Sequence, residues 1–157
     1  MWHILKQIVR TGIVTEPAPD VDEAGQASVQ RIHQDILDIL GQALTIRVVD
    51  AGSCNGCELE IASAFGPVYD AERYGARLVT SPRHADVVLV TGVVTRNMAA
   101  PLCRTVEATP QPRVVVAVGD CALDCGVFAG GYGVAGSVAD FVPVDLSVPQ
   151  SYAGNDL

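Results

Sequence analysis

Residues 44–60 read LTIRVVDAGSCNGCELE, and this stretch joins a strand, a cysteine-bearing turn and a helix. The run 44–51 is rich in β-branched and apolar residues, which is typical of a strand. Glycines punctuate the turn, and the residues after it predict a helix over 57–65. Cys54 and Cys57 are three positions apart. This spacing fits a disulfide, half of a zinc site, a thioredoxin-like dithiol or two ligands of an iron-sulfur cluster.

The alternation of apolar runs and helical stretches continues along the chain. Further strands are predicted at 76–81, 86–92 and 113–120, with a weaker one at 140–146, and a second helix is predicted at 97–107. Runs that are apolar on both faces indicate a parallel sheet with helices on each side. The sequence therefore predicts an α/β fold with a doubly wound parallel sheet.

The chain before the first strand divides into two parts. Residues 1–26 are polar and contain prolines, which predicts an extended N-terminal arm, with the apolar residues of its first nine positions as a candidate docking element. From Ser28, a plausible N-cap, apolar residues recur at helical spacing up to Gly41, so one amphipathic helix precedes the sheet. We divide the chain into this arm, a domain over 27–149 and a short tail over 150–157.

Composition limits the partners of the chain. Its 157 residues hold ten Lys and Arg against eighteen Asp and Glu, a net charge of -8, which disfavours binding to the phosphates of nucleic acid. No apolar run approaches the roughly 20 residues that a membrane-spanning helix requires, and the N-terminus lacks the pattern of a secretory signal. We expect a cytoplasmic protein whose contact with a membrane is indirect.

Four of the five cysteines are predicted to meet at one edge of the sheet. Ligands of such folds bind beside the carboxyl ends of the strands, where Cys54 and Cys57 follow one strand and Cys121 and Cys125 follow another. Four thiolates suit zinc or an iron-sulfur centre. A thioredoxin-like dithiol would need only the first pair, and a zinc staple is less expected because about sixty residues of α/β core separate the pairs. Cys103, on a predicted helix, is expected to be a buried apolar thiol.

Glycines crowd the same loops. Gly92 and Gly119 follow predicted strands, and such residues permit positive φ and leave backbone N–H groups that could donate to cluster sulfurs. The glycine-rich stretch after Cys125 lacks the order of residues that cradles a nucleotide, so a nucleotide site is not supported.

Four motifs in order, VDAGSCNGCELEI, SPRHADVVLVTG, GDCALDCGVF and VPVD, carry a family resemblance. The chain resembles the cluster-bearing small subunit of membrane-bound nickel-iron hydrogenases and formate hydrogenlyase, homologous to the complex I subunit that holds the last cluster before quinone. The resemblance implies a flavodoxin-like domain with one 4Fe-4S cluster. It also implies electron transfer between a hydrogenase-like large subunit and ferredoxin-like or integral membrane subunits, at the inner face of the cell membrane.

The resemblance also implies particular residues. Three cluster ligands correspond to Cys54, Cys57 and Cys121, and Glu60, Arg83 and His84 are implied to lie near the cluster or the partner subunit. The family has its fourth cysteine in a PGCPP motif after the last strand, where this chain reads VPQSYAGNDL and places Ser151. Cys125 and Ser151 are therefore the two candidates within the chain for the fourth ligand.

Two alternatives stay open beside the electron-transfer interpretation. Without the PGCPP motif, the chain could be an interaction subunit of the same assembly that holds no cluster. Its cysteines also fit a zinc protein with four cysteine ligands or a thiol-redox protein.

Overall fold

The computed structural model describes residues 37–149 continuously, together with positions 2, 3, 6, 10, 31, 34 and 35. Within the continuous part, strands and helices alternate, with four short 3₁₀ turns between them. The elements in chain order are β1 (Leu44–Asp50), α1 (Gly56–Ala64), β2 (Ala76–Leu78), β3 (Val87–Thr91), β4 (Val94–Thr95), α2 (Ala99–Ala108), β5 (Val114–Val118), α3 (Asp120–Asp124), β6 (Val134–Gly136) and β7 (Leu146–Val148).

Five strands form one parallel sheet in the order β2-β1-β3-β5-β7. This is the strand order of flavodoxin-like folds, in which the chain reverses its direction of winding between β1 and β3. The predicted fold class is confirmed. The central pairs are in register along their length, with Val49 opposite Val90 and Leu89 opposite Val116.

Both faces of the sheet are apolar, which explains the uninterrupted hydrophobic runs of the sequence. On one face, Leu102 and Val106 of α2 pack against the sheet in a cluster that includes Val88, Val90 and Val115, and Leu102 is fully buried. The other face holds a smaller cluster of Ile46, Val87 and Val116, with Phe65 at the end of α1 packed against it.

The strand predicted at 140–146 is wrong. Residues 141–145 belong to no strand, and Asp140 ends a 3₁₀ turn, Val138–Asp140. The turn has a capping box in which the Asp140 carboxylate accepts hydrogen bonds from the backbone N–H and hydroxyl of Ser137. Pro143, inside the predicted strand, has no N–H to donate to a ladder. The last strand is β7, which begins at Leu146 and pairs with β5.

Two further differences concern short elements. β2 ends at Leu78 and not at 81, because it pairs with only the first three residues of β1. β4 and β6 form a small antiparallel sheet beside the main one, which the sequence did not predict.

The described N-terminal positions 2, 3, 6 and 10 are helical, so the extended conformation predicted for the arm is wrong at these positions. The apolar residues of this stretch recur at three- and four-residue intervals, which favours a helix. The helix predicted before the sheet is confirmed at positions 31, 34, 35 and 37–40, all of which are exposed, and its predicted apolar face stays a prediction. The other positions of the arm 1–26, the start of the predicted helix at 27–30, and the tail 150–157 with Ser151 lie outside the described residues. Across the part of the chain that the structure describes, no helix has the length and apolar character needed to cross a bilayer.

Candidate metal centre

The cysteine loops lie at the carboxyl edge of the sheet. β1 ends at Asp50, and its loop leads through the exposed Cys54 to Cys57, which is buried in the first turn of α1. β5 ends at Val118, and α3 then carries Cys121, with Cys125 as the C-cap directly after the helix. Because β1 and β5 both flank β3, the two loops leave the same edge of the sheet on either side of one strand.

Asp50 shapes the first cysteine loop. Its Oδ1 atom accepts hydrogen bonds from the N–H groups of Gly52 and Ser53, each at 2.8 Å. The N–H of Gly119 donates to the carbonyl of Val148 at 2.8 Å, and the N–H of Gly126 donates to Asp124 Oδ1 at 2.8 Å. The N–H groups of Gly52, Gly119 and Gly126 are thus engaged within the chain. For Gly92, donation to a cluster sulfur stays a prediction.

Glu58 ties the first cysteine loop to the centre of the sheet. Its Oε2 accepts a hydrogen bond of 2.6 Å from the hydroxyl of Ser53, and its Oε1 accepts a very short one from the hydroxyl of Thr91, at the end of β3. The Ser53 Oγ also accepts the N–H of Asn55 at 3.0 Å. Thr91 is fully buried. The Glu58 carboxylate therefore connects Ser53, just before Cys54, to Thr91 of β3.

Two glycines let the backbones of this edge approach closely. A Cβ atom on Gly92, whose φ is 71°, would lie 2.4 Å from the N and Cα atoms of Ser53. A Cβ atom on Gly52 would lie 2.3 Å from Cγ2 of Thr95 and 2.8 Å from the carbonyl oxygen of Val93. Any other residue at these positions would push the first cysteine loop away from β3 and β4. Gly92 thus adjoins the cysteine loop, and Gly119, with φ 88°, introduces α3 and Cys121.

Three thiols share one electrostatic environment. Burial raises the pKa of Cys57, and so do the charges of Glu58, Cys54, Glu60 and Cys121. Burial also raises the pKa of Cys121, with Cys54 as the largest of the neighbouring charges. The thiolates of Cys57 and Cys121 are disfavoured by burial and by neighbouring negative charge, and a bound cation would favour them.

Cys125 occupies a different setting. It is the C-cap of α3 with φ 69°, and its N–H donates to the carbonyl of Cys121 at 3.1 Å. Burial raises the pKa of its thiol, followed by the charges of Asp140 and Asp124. Both Cys121 and Cys125 are free thiols. Cys103 is half-buried on α2 beside the main core, and its Sγ lies 3.7 Å from the carbonyl oxygen of Phe141, in line with the expected packing role.

Zinc and a 4Fe-4S cluster require different arrangements of cysteine sulfurs. Among the described residues, no three His, Cys, Asp or Glu side chains are close enough together to hold one metal ion. A tetrahedral zinc site would need four sulfurs at about 2.3 Å from one atom. Each cysteine of a 4Fe-4S cluster binds a different iron, so its thiols stand further apart around a larger group. The charges of Cys54 and Cys121 both act on Cys57, and the charge of Cys54 acts on Cys121.

The other residues implied by the resemblance lie in two places. Glu60 is exposed on α1, and its charge acts on Cys57. Arg83 and His84 are exposed in the 3₁₀ turn just before β3, next to Asp86, which is hydrogen bonded to Thr45 at the start of β1. That is the amino edge of the sheet, opposite the cysteine loops. This placement argues against a position beside the cluster for Arg83 and His84, whereas the implied contact with a partner stays a prediction.

Sequence reasoning missed Ser53, Glu58 and Thr91. The available signal was the position of Glu58, three residues after the N-cap Asn55, where an acidic side chain lies at the positive end of a helix. Nothing in the sequence pairs this carboxylate with Thr91, because the contact spans 33 residues and depends on the strand order.

The fold and the site together define a class, a flavodoxin-like α/β domain with cysteine loops at the carboxyl edge of its sheet. The family model for the NADH ubiquinone oxidoreductase 20 kDa subunit matches residues 54–152. The chain belongs to this family, which confirms the resemblance seen in the sequence.

Similar proteins support the assignment. The chain is 40% identical over 134 residues to formate hydrogenlyase subunit 7 of Escherichia coli strain K12, covering 85% of this chain and 51% of that protein. It is 42% identical over 120 residues to the "Probable membrane-bound hydrogenase subunit mbhJ" of Pyrococcus furiosus, covering 76% and 71%. The chain thus spans about half the length of the first of these relatives.

A solved structure shares the fold. It is that of the membrane-bound sulfane sulfur reductase, an archaeal respiratory membrane complex, in which one chain matches with a TM-score of 0.61 and 27% identity. The match covers 78% of this chain and 65% of the other.

Proposed function

We propose that this chain is an electron-transfer subunit of a complex I-related oxidoreductase of the hydrogenase or formate hydrogenlyase type, and that it holds one 4Fe-4S cluster. The observation that carries the proposal is the grouping of Cys54, Cys57 and Cys121 at the carboxyl edge of the sheet, where their charges act on one another. Membership of the 20 kDa subunit family and the hydrogenase-type relatives support it.

Cys54, Cys57 and Cys121 would hold the group. Cys57 is buried and fixed in the first turn of α1, while Cys54 lies on the exposed loop that Asp50 and Glu58 fasten. When bound, the cluster supplies one-electron transfer at a potential set by its charge, its hydrogen bonds and its exposure to water. No side chain is proposed as catalytic, and the isolated chain is expected to catalyse little.

For the fourth ligand we propose Cys125. It belongs to the same short helix and loop as Cys121, four residues away, and its thiol is free. The carboxylates of Asp124 and Asp140 oppose its ionisation, so ligation by Cys125 requires the positive charge of iron to outweigh them. Ser151 is the alternative, as a weaker oxygen ligand.

Exposed apolar side chains near the cysteine loops support a partner at this edge. Leu59, two residues after Cys57, is 63% exposed, and in the segment after Cys125 Val127 is 91% and Tyr132 90% exposed. Residues of this kind are enriched at protein interfaces, and covering them would exclude water from Cys54. We propose that a hydrogenase-like large subunit covers this edge. Ferredoxin-like and integral membrane subunits of the same complex would attach the chain to the cytoplasmic face of the membrane.

Anaerobic reconstitution with iron and sulfide tests the proposal. The full chain should give an EPR signal after reduction, and Cys54→Ala, Cys57→Ala and Cys121→Ala should each reduce or abolish it. The matched control is Cys103→Ala, which removes a thiol from α2 and should leave the signal unchanged. An unchanged signal in all three ligand variants would refute the assignment.

The fourth ligand is tested in the same way with Cys125→Ala and Ser151→Ala. Loss of the full cubane in the first variant alone identifies Cys125, whereas loss in the second alone identifies Ser151. A full cubane in both variants means that neither residue is the fourth ligand and that a group outside the chain supplies it. If the intact fold takes up zinc without labile sulfide, the zinc alternative holds. If it takes up neither metal with its partner present, the chain is an interaction subunit without a cluster.

A further inference from the structure

A second feature lies at the amino edge of the sheet, opposite the cysteine loops. A half-open cavity of about 890 Å³ is bounded by the first residues of β1, β3 and β5, by β2 and by the 3₁₀ turn before β3. Its walls are mostly apolar, and they include Leu44, Leu78, Val87 and Val114. Small-molecule sites of proteins have this size and character, with few polar groups that fix the orientation of the ligand.

Two arginines, Arg77 and Arg83, line the cavity in a chain whose net charge is -8, together with His84. The other polar side chains of the lining, apart from Asp86, are neutral: Gln42, Thr45, Thr80, Ser81 and Gln111. The one carboxylate in the lining, Asp86, is engaged elsewhere, because its Oδ2 accepts the N–H of Thr45 at 3.0 Å and the hydroxyl of Thr45 at 2.6 Å. Within residues 37–149 neither arginine forms an ion pair or another side-chain hydrogen bond. The cavity thus combines apolar walls with two guanidinium groups that have no anionic partner in the described chain.

We propose that this cavity binds an amphiphilic anion, an alkyl or acyl chain that carries a carboxylate or a phosphate. The alkyl or acyl part of the ligand would lie against the apolar walls, where burial of its methylene groups is favourable. The head group would lie between Arg77 and Arg83, because the planar guanidinium donates paired hydrogen bonds to either kind of anion. The cavity is at the opposite edge of the sheet from the cysteines, so this proposal is independent of the cluster.

Calorimetric titration of the full chain tests the proposal with matched probes. Decanoate and decyl phosphate carry the two head groups, decyltrimethylammonium reverses the charge, and inorganic phosphate lacks the chain. We expect dissociation constants of roughly 0.1–1 mM for the tighter of the two anions, the range for a ligand of this size. The cation and inorganic phosphate should bind at least about tenfold more weakly, and the anion should bind more weakly as salt rises.

Variants assign the binding to the cavity. Arg77→Gln with Arg83→Gln should weaken binding of the tighter anion by about tenfold or more, since both head-group partners are lost. The control with the same change of charge is Arg96→Gln with Arg104→Gln, outside the lining, which should change affinity less than about twofold. Val114→Phe, at a position 36% exposed, should weaken binding by narrowing the cavity without a change of charge. Circular dichroism confirms that each variant is folded.

Three results would overturn the proposal. The first is no measurable binding of either amphiphilic anion. The second is binding of the cation or of inorganic phosphate as tight as that of the amphiphilic anion. Tight binding of the cation would mean that the arginines do not select the ligand, and tight binding of inorganic phosphate would mean that the apolar walls do not contribute. The third is equal weakening by both double variants, which would mean that general charge and not the cavity attracts the anion.

Discussion

Replacing Glu58 by alanine removes the carboxylate that joins the first cysteine loop to β3. Two hydroxyl donors lose this acceptor, Ser53 at 2.6 Å and the fully buried Thr91, which keeps only a long contact of 3.4 Å to the carbonyl oxygen of Val49. A hydrogen bond to a charged group contributes about 1.5–3 kcal/mol, and a buried polar group left without a partner costs about 1–3 kcal/mol. Because Glu58 is only half-buried, we take the lower part of these ranges and expect Glu58→Ala to reduce the free energy of unfolding by about 2–4 kcal/mol.

Urea unfolding of the metal-free chain measures this change, from the midpoint and slope of the transition. The matched control is Glu60→Ala, which removes the same charge from an exposed position of α1 and should change stability by less than about 0.5 kcal/mol. Thr91→Val should cost less than Glu58→Ala, because its isosteric apolar side chain leaves no unsatisfied hydroxyl. The double variant should show a coupling energy of about 1–2 kcal/mol between the two residues.

The reasoning would be refuted if Glu58→Ala and Glu60→Ala destabilised the chain equally. It would also be refuted if the losses of unfolding free energy in Glu58→Ala and Thr91→Val added up in the double variant, since the two side chains would then not stabilise each other.

Three further predictions concern the glycines, the thiol chemistry and the core. Gly92→Ala should cost about 2–4 kcal/mol in urea unfolding, because its Cβ would overlap the Ser53 backbone at positive φ, whereas Gly130→Ala, also at positive φ but with open space around it, should cost about 1–2 kcal/mol. Burial, Asp140 and Asp124 raise the pKa of the Cys125 thiol. The thiol should therefore contribute fully to stability below the unfolded thiol pKa of about 8.5, and this contribution should be lost as pH rises through the folded pKa. Cys125→Ala should make the free energy of unfolding fall less between about pH 7 and 10 than it does in the unchanged chain. Leu102→Ala should lower the free energy of unfolding by about 2–5 kcal/mol in the same assay, since the side chain is fully buried between α2 and the sheet.

The sequence was sufficient to predict the sheet because its central strands are buried on both faces. Their apolar runs are continuous, and β1, β3 and β5 begin and end within about two residues of the predicted bounds. β7 was misplaced because it is a short edge strand with one paired side, so its residues 146–148 carry little hydrophobic signal. The sheet of β4 and β6 joins segments about forty residues apart, and no local pattern records such a contact.

For the candidate site, the position of the cysteine loops was predictable from the sequence, but the contacts around them were not. Placing the cysteines at strand ends required only the rule that ligands of parallel sheets bind at the carboxyl edge. The connection from Ser53 through Glu58 to Thr91 depends on strand order and side-chain direction, which the spacing of residues does not specify. The place of Arg83 and His84 follows from the same rule, because the turn that carries them precedes β3 and so lies at the amino edge of the sheet.

The iron and acid-labile sulfide content of the full chain, isolated anaerobically with its partner subunits, tests the central claim most directly. If Cys54, Cys57 and Cys121 hold a 4Fe-4S cluster, about four iron and four sulfide should be found per chain, and both should fall in Cys57→Ala while the fold is kept. Stoichiometric zinc without labile sulfide, or neither metal in an intact complex, would contradict the account.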